Sequence, residues 1–454
     1  MRRRDLLKSA VFGALAAPRS GARTPPAASR AAPGDRIGIG MIGVGSFGMA
    51  NLRQFMRHPD VEIVAVCDVD RMALERARDM ADGRPSTYGD YRRLLEDRDV
   101  DAVVITTPEH WHAIMSIDAC EAGKDVYVEK PAAHHIRDGR LMVEAARRHH
   151  RVVQVGTQQR SGAHFRRAVR YVQEGRIGDV HYATCWHHAP PPAPPPVVTG
   201  GPPPGLDWDM WLGPAPKRPY AEVWSVGRRG YWDFWGGLIT EWGSHLTDIV
   251  LWAMKAGPPE RVAALGGQFV RTKGEIPDLL QASCTFPAFV FHYSILGHNT
   301  YGLNGDTGAA RFGSFGMQFH GTKGTMFLDR SGFRLTPQPV RVQEPNQPPS
   351  AGYPDSRQPG YYYTTEVLPE HSETSEQHGP HVRNFLDCVR SRERPVADIE
   401  EGHRTNVVNR LANIAYRLGR TLRWNGRTER VIDDDEANRL AVGTYRAPWI
   451  PKGL

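Results

Sequence analysis

One short run, IGMIGVGSFGM (39–49), decides the architecture of the first third of this chain. Residues 36–43 (RIGIGMIG) have the length and apolarity of one buried strand, and they lead directly into GVGSFG (43–48) and a helix-forming stretch. A strand that ends in G-x-G-x-x-G and opens a helix is a phosphate-binding turn at the edge of a parallel sheet. The first glycine lets the backbone turn, the second lets it approach a pyrophosphate, and the third lets helix pack on strand. The helix N-terminus then presents free amides and a partial positive charge. Asp68 ends a second apolar strand, VEIVAVCD (61–68), where a carboxylate can accept hydrogen bonds from a ribose. Gly43, Gly45, Ser46, Phe47, Gly48 and Asp68 are therefore expected to hold a dinucleotide. A carboxylate at 68 would repel a 2′-phosphate, so NAD is expected rather than NADP; Arg71 nearby weakens that preference without reversing it.

The same rhythm continues to residue 157. DAVVITT, DVYVEK and RVVQVGT read as further strands, and MANLRQFMRH, DRMALERARDMA, HWHAIMSIDACEAG and RDGRLMVEAARRHH read as the helices between them. Alternating strand and helix signals predict a parallel sheet covered on both faces. After Gly156 the style changes. GDVHYATCWHH, LLQASCTF, FVFHYSIL, RFGSFGMQFHG and TMFLDRSGFRLT are strand-like runs separated by glycine turns, and PPPAPPPVVTGGPPPG (190–205) cannot enter a sheet interior. Helices near HVRNFLDCVRS and GHRTNVVNRLANIAYRLGR close the chain. The expected fold is α/β: a dinucleotide-binding domain at 36–157, then an α+β domain with a mostly antiparallel sheet at 158–454.

The N-terminus predicts an address. Arg3 and Arg4 followed by Leu6, Leu7 and Lys8, an apolar run from Val11 to Ala17, and small residues at Ala14–Ala16 fit a twin-arginine export signal. The run is far short of the ~20 residues a membrane span needs. Residues 18–35 read as a Pro/Ala/Ser/Gly linker. These segments also account for the charge: residues 1–31 hold seven basic residues and one acid, leaving 50 basic and 49 acidic residues from a total net charge of +7. With no later basic patch, nucleic acid is not an expected partner. The five scattered cysteines form neither a disulfide framework nor a zinc ribbon. They suit a protein folded in a reducing compartment before export.

Two further stretches carry candidate chemistry. Glu129-Lys130-Pro131 ends a strand on the ligand-binding edge of the sheet, where the Lys130 ammonium could polarise a substrate oxygen; Lys before Pro also suits an ordinary surface loop. In GGLITEWGSHLTDIVLWAM (236–254), Glu241, His245 and Asp248 are spaced to share a helical face. A histidine there could take the proton from an alcohol, with a carboxylate orienting the ring. The plainer reading is the solvated face of an amphipathic helix. The aromatic cluster Tyr231, Trp232, Phe234 and Trp235 fits either a core or a stacking wall for a sugar ring. The histidine pairs His110/His112, His134/His135, His149/His150 and His187/His188 lack zinc spacing, and no metal is expected.

Taken in order, GVGSFG, TTPEHWH (106–112), EKP and G-G-x-x-x-E-x-x-x-H-x-x-D resemble the Gfo/Idh/MocA family of oxidoreductases over essentially the whole chain. GLDWDMWLGPAP (205–216) and HVRNFLDCVRSRERP (381–395) resemble its exported bacterial branch. The resemblance implies a Rossmann domain followed by an open-faced sheet domain, with substrate between them. It implies that Lys130 is the catalytic lysine and His245 the acid/base, with Glu241 standing where many members have Asp. Thr107, Pro108, His112 and Glu129 would line the nicotinamide side; Gln158 and Arg160, with Tyr231, Trp232 and Asp248, would face the substrate. The expected activity is hydride transfer between tightly bound NAD and a sugar or polyol-like alcohol. Exported by the twin-arginine machinery to the periplasm with its cofactor aboard, such an enzyme finds no outside pool to exchange with, so a redox-neutral reaction is expected. That is either oxidation of one sugar and reduction of another, or glycoside hydrolysis by transient oxidation and elimination. A non-catalytic sugar-binding protein on the same scaffold is the other alternative, against which the presence of both Lys130 and His245 speaks. The open C-terminal sheet would also admit a homo-oligomer.

Overall fold

The computed structural model describes residues 36–189, 198–270, 273–299, 314–343 and 361–454. The export signal and linker expected at 1–35, and residues 190–197 of the proline-rich loop, lie outside the described residues.

Six parallel strands form the first sheet: β1 (Ile37–Ile42), β2 (Val61–Cys67), β3 (Ser86–Tyr88), β4 (Ala102–Ile105), β5 (Asp125–Val128) and β6 (Val153–Val155). Their order is β3-β2-β1-β4-β5-β6. Because β1 pairs with β2 on one side and β4 on the other, a crevice opens at the carboxyl ends of β1 and β4. Every residue of β1, β4, β5 and β6 is buried, which is why these strands read as unbroken apolar runs. Helices α1 (Ser46–Phe55) and α2 (Arg71–Met80) pack on one face; α3 (Tyr91–Leu95), α4 (His112–Glu121) and α5 (Ile136–Arg148) pack on the other.

The rest of the chain builds a ten-stranded sheet. It contains β7 (Val180–His188), β8 (Arg261–Gly267), β9 (Leu279–Thr285), β10 (Val290–Leu296), β11 (Ser314–Gly321), β12 (Gly324–Asp329) and β13 (Gly332–Pro337). After β14 (Pro339–Gln343) and β15 (Tyr361–Thr365), which pair only with each other, come β16 (Glu370–Glu373), β17 (Leu422–Asn425) and β18 (Arg430–Val431). The order is β16-β13-β12-β11-β7-β10-β9-β8-β17-β18, antiparallel except where β7 meets β10. One face is covered by α6 (Ala163–Gln173), by α10 (Gly243–Ala253), which follows α7 (Trp208–Leu212), α8 (Tyr220–Val226) and α9 (Gly237–Glu241), and by the long helix α12. Helix α12 (Ile399–Leu418) follows α11 (His378–Ser391) and precedes α13 (Asp435–Val442). Tyr182, Leu265 and Val290 are exposed, so the sheet keeps apolar side chains in solvent.

Helix α11 crosses back to the first sheet. Val382, Phe385 and Leu386 join Ile39, Phe55 and Tyr127 in one core, with the Phe385 ring 6.3 Å from Phe55 and 5.7 Å from Tyr127. His381 ties this helix to β6, its Nε2 against the Val155 carbonyl at 2.9 Å.

Candidate active site

The chain leaves β1 through Gly43, whose φ of +82° falls in the region glycine favours. A Cβ on Gly43 would stand 2.8 Å from the Thr107 nitrogen, and one on Gly48 only 2.0 Å from the Gly43 carbonyl oxygen, whereas one on Gly45 would meet nothing within 4 Å. Strand and helix thus touch through Gly43 and Gly48, while Gly45 leaves room above the α1 amides, where the first turn carries no acidic side chain. Asp68 fastens this turn. Its Oδ2 accepts from the Val44 N–H at 2.8 Å and its Oδ1 from the Asp70 N–H at 3.0 Å. Burial pushes the Asp68 carboxyl pKa up, against those amides.

From this turn a cavity of about 360 Å³ runs past Ser46, Phe47 and Asp68 to Thr107 and Pro108. Its roof comes from residues 203–228: Pro203, Leu206, Met210, Trp211, Tyr220, Trp224 and Arg228. The roof is bonded to the floor, with Arg71 N–H donating to the Gly205 carbonyl and Asp207 N–H to the Val69 carbonyl, both at 3.0 Å. Trp208 and Trp211 stack at 4.7 Å, and the Trp111 indole N–H donates to the Trp211 carbonyl at 3.1 Å. The donor set fits NAD: open amides and a helix N-terminus for the pyrophosphate, a carboxylate for the ribose, and apolar walls for the rings.

Beyond Thr107 the EKP turn approaches α10, so that the Lys130 charge reaches His245. His112, expected beside the nicotinamide, is instead a buried clamp. Its Nδ1 meets the Pro131 carbonyl at 2.8 Å and its Nε2 the Thr107 carbonyl at 2.9 Å, so it binds the TTP and EKP turns together. Burial lowers its pKa while the two carbonyls raise it, and holding both of them takes a proton on each ring nitrogen. Glu129 is also buried. It accepts from the Asn51 side chain and the Lys130 N–H, both at 3.1 Å, and burial pushes its pKa up to about 7. The Lys130 side chain is half-buried. His245 is 5% exposed, and its Nδ1 is buried with no partner. Burial, then the charges of Arg330 and Lys130, hold its pKa well below the usual histidine range. Trp242 packs edge-on to His245 at 6.0 Å, stacks on His187 at 4.6 Å and lies under the Arg330 guanidinium at 5.2 Å.

Several expected neighbours are placed elsewhere. Trp242 breaks the predicted single helix, so Glu241 ends α9 while His245 and Asp248 belong to α10. Glu241 does not orient His245; its Oε1 accepts from Arg229 at 3.0 Å. Asp248 and Arg160 saturate each other in the core at 2.7 and 2.9 Å, with Thr405 and Glu401 added, and neither is free for substrate. Gln158 sits under the cleft, 3.4 Å from both the Tyr127 hydroxyl and Glu129. Tyr231 is packed with Leu212, Val223 and Phe234, under the Arg218 guanidinium, and Trp232 lines a separate pocket with His134, Arg417 and Tyr445. The aromatic cluster is therefore a small core at Tyr231 and Phe234, a back pocket at Trp232, and a ring under Arg229 at Trp235. Among the described residues no His/Cys/Asp/Glu cluster is arranged to hold a metal. Sequence reasoning missed Arg330, on a polar hairpin tip that any strand turn could show, and the Trp211–Trp224 roof, whose only signal was its tryptophan content.

The "Oxidoreductase family, NAD-binding Rossmann fold" model matches residues 37–157, and the family's "C-terminal alpha/beta domain" model matches 197–261 and 363–451. An uncharacterized oxidoreductase, YrbE, of Bacillus subtilis is 34% identical over 148 residues, 32% of this chain and 42% of its own length. A glycosyl hydrolase family 109 protein of Shewanella baltica is 38% identical over 122 residues, 25% of this chain and 27% of its own. The chain thus spans less than half the length of these relatives. The aldose-aldose oxidoreductase of Caulobacter crescentus shares the fold, with a TM-score of 0.62 and 18% identity over 86% of this chain and 99% of its own. With both domain models matched in order around an NAD-fitting crevice, the chain belongs to the Gfo/Idh/MocA family of NAD-binding oxidoreductases.

Proposed function

We propose that this protein interconverts an alcohol and a carbonyl on a carbohydrate or polyol, redox-neutral overall, with NAD kept bound between half-reactions. The observation that carries this reading is the roof of residues 203–228, bonded to the Rossmann loops over the cofactor cavity, with Lys130 and a neutral His245 beyond it. NAD, when bound, supplies the hydride acceptor and donor. The chain's residues handle the proton and the geometry. His245, neutral through burial and neighbouring cations, accepts the hydroxyl proton of the alcohol and returns it to the carbonyl in the reverse half-reaction. The Lys130 ammonium donates to the same substrate oxygen and favours its alkoxide character. His112 keeps Lys130 in place by holding the Pro131 carbonyl, and Trp242 walls off water on the His245 side.

The likeness to a family 109 glycosyl hydrolase favours a second reading on the same residues. Oxidation of a glycoside hydroxyl acidifies the neighbouring C–H; its proton and the aglycone leave by elimination, water adds, and reduction restores the hydroxyl, giving net hydrolysis. Both readings include export of the folded, loaded protein, supported by Arg3, Arg4 and the apolar run behind them, and testable by fractionating cells that express it.

The deciding experiment is turnover stoichiometry with protein purified alone and no NAD added. Many turnovers on a panel of sugars and glycosides are expected, yielding either paired oxidised and reduced sugars or a free sugar from a glycoside. One turnover per protein, relieved only by added NAD, would overturn the redox-neutral reading.

A further inference from the structure

Arg330 occupies the tip of the β12–β13 hairpin, and its guanidinium lies 5.2 Å over Trp242 and 6.0 Å over Phe315. Its Nε is buried without a hydrogen-bond partner, and among the described residues no carboxylate pairs with it. Two other enclosed arginines are paired, whereas Arg228 in the cofactor-cavity wall and Arg417 in the back pocket share its lack of a carboxylate among the described residues. Arg160 is met by Asp248 at 2.7 Å and Arg410 by Glu109 at 2.8 Å. An arginine partly withdrawn from water with no counter-ion is unfavourable unless an anion completes it.

The surroundings sharpen the point. Lys130, on the opposite turn, likewise has no carboxylate within ion-pair distance among the described residues. His245 feels both cations; His187 lies near Lys130 and His378 near Arg330, where Glu376, its carboxylate held by the His378 and Gly379 N–H groups, also acts. Of the nearby acids, Asp248 is taken by Arg160, Glu129 accepts from Asn51 and the Lys130 N–H, and Glu241 meets Arg229 through Oε1 while its Oε2 is buried without a partner. His245 must gain a proton during turnover, and a third positive charge beside Lys130 and Arg330 opposes that step. A carboxylate seated on Arg330 would offset one of the two charges. With its central carbon 5.2 Å over the Trp242 ring, the guanidinium keeps its terminal N–H groups for a two-oxygen acceptor.

We propose that the cleft takes an acidic carbohydrate, with its carboxylate on Arg330 and its reacting hydroxyl between Lys130 and His245. This rests on the reading of the cleft as the site of hydride transfer to a carbohydrate, and the test separates the two.

Holoprotein is titrated by calorimetry with matched probes: D-glucose, D-glucuronate and D-glucose 6-phosphate, then D-galactose and D-galacturonate. Reduction of the bound cofactor is followed in parallel by absorbance. The acids should bind at least about tenfold more tightly than the neutral sugars, the scale of one charge-assisted contact. Arg330→Gln should shrink that ratio to about twofold, and Arg330→Lys, which keeps charge but loses the fork, should leave an intermediate ratio. Retained cofactor and an unchanged circular dichroism spectrum report that each variant is folded. Equal binding of acid and neutral sugar, a ratio unmoved in Arg330→Gln, a preference for the phosphate, or no binding by any probe would overturn the proposal. Cofactor reduced equally by neutral and acidic sugars would leave the oxidoreductase reading standing and remove this one. Acid binding lost with Arg330, but with no cofactor reduction by any probe, would do the reverse.

Discussion

Replacing Glu129 with Gln should change how stability depends on pH, and the size of the change follows from its burial. Glu129 is 3% exposed, and burial raises its pKa from an ordinary 4.5 to about 7 despite hydrogen bonds from Asn51 and Lys130. Between pH 4.5 and 7 the folded protein holds this proton while the unfolded chain has lost it, so this group's contribution falls as pH rises. At about 1.4 kcal/mol per tenfold in proton affinity, the ionised side chain weighs against the fold by about 3 kcal/mol above pH 7. Gln has no such term. The buried histidines act in the opposite sense. His110, His187 and His381, lowered to about 3, and His134, lowered to about 4, make the fold more stable as pH rises toward 6.5. The informative quantity is therefore the difference between wild type and variant, not the wild-type slope. Urea unfolding of nucleotide-free protein should find Glu129→Gln less favourable relative to wild type at pH 5 than at pH 8, by about 2.5 kcal/mol. Infrared spectra should show a protonated carboxyl band at pH 6 that fades near pH 7 and is absent from the variant. Parallel stability curves, with no such band, would refute the assignment.

Three other outcomes bear on the site. His245→Ala and Lys130→Ala should each lower turnover by ~10²–10⁴ while the bound cofactor, counted by mass spectrometry of the denatured protein, persists; near-normal turnover in His245→Ala would move the acid/base elsewhere. Asp68→Ala should weaken NAD by roughly 1.5–3 kcal/mol, seen as a lower nucleotide content after purification, because ribose acceptance and the Val44 tie are lost together. Asp248→Ala should act on the fold, costing ~3–5 kcal/mol in unfolding experiments by leaving Arg160 buried and unpaired; a raised KM at unchanged stability would return Asp248 to the substrate site.

Local chemistry made much of this protein legible before any coordinates. Buried parallel strands must be apolar throughout, so β1, β2, β4, β5 and β6 stood out, whereas Ser86–Tyr88 and Tyr91–Leu95 are too short to show a period. The glycines at 43, 45 and 48 and the carboxylate at 68 announce a dinucleotide turn because that turn needs them within one strand–loop–helix unit and at the end of the next strand. Relations between distant segments leave no such trace. The spacing of Glu241, His245 and Asp248 suggested one catalytic face, but the break at Trp242 and the pull of Arg229 and Arg160 split them among three tasks. Nor could spacing reveal that α11 returns to cover the Rossmann sheet, that residues 203–228 roof the cofactor cavity, or that a hairpin arginine reaches Trp242. The sequence by itself determined most of the elements and the glycine turn for the cofactor, because these depend on contacts a few residues long. Only the tertiary structure decided which charges are paired and which stay open to a substrate, because pairing depends on side chains that meet across the fold.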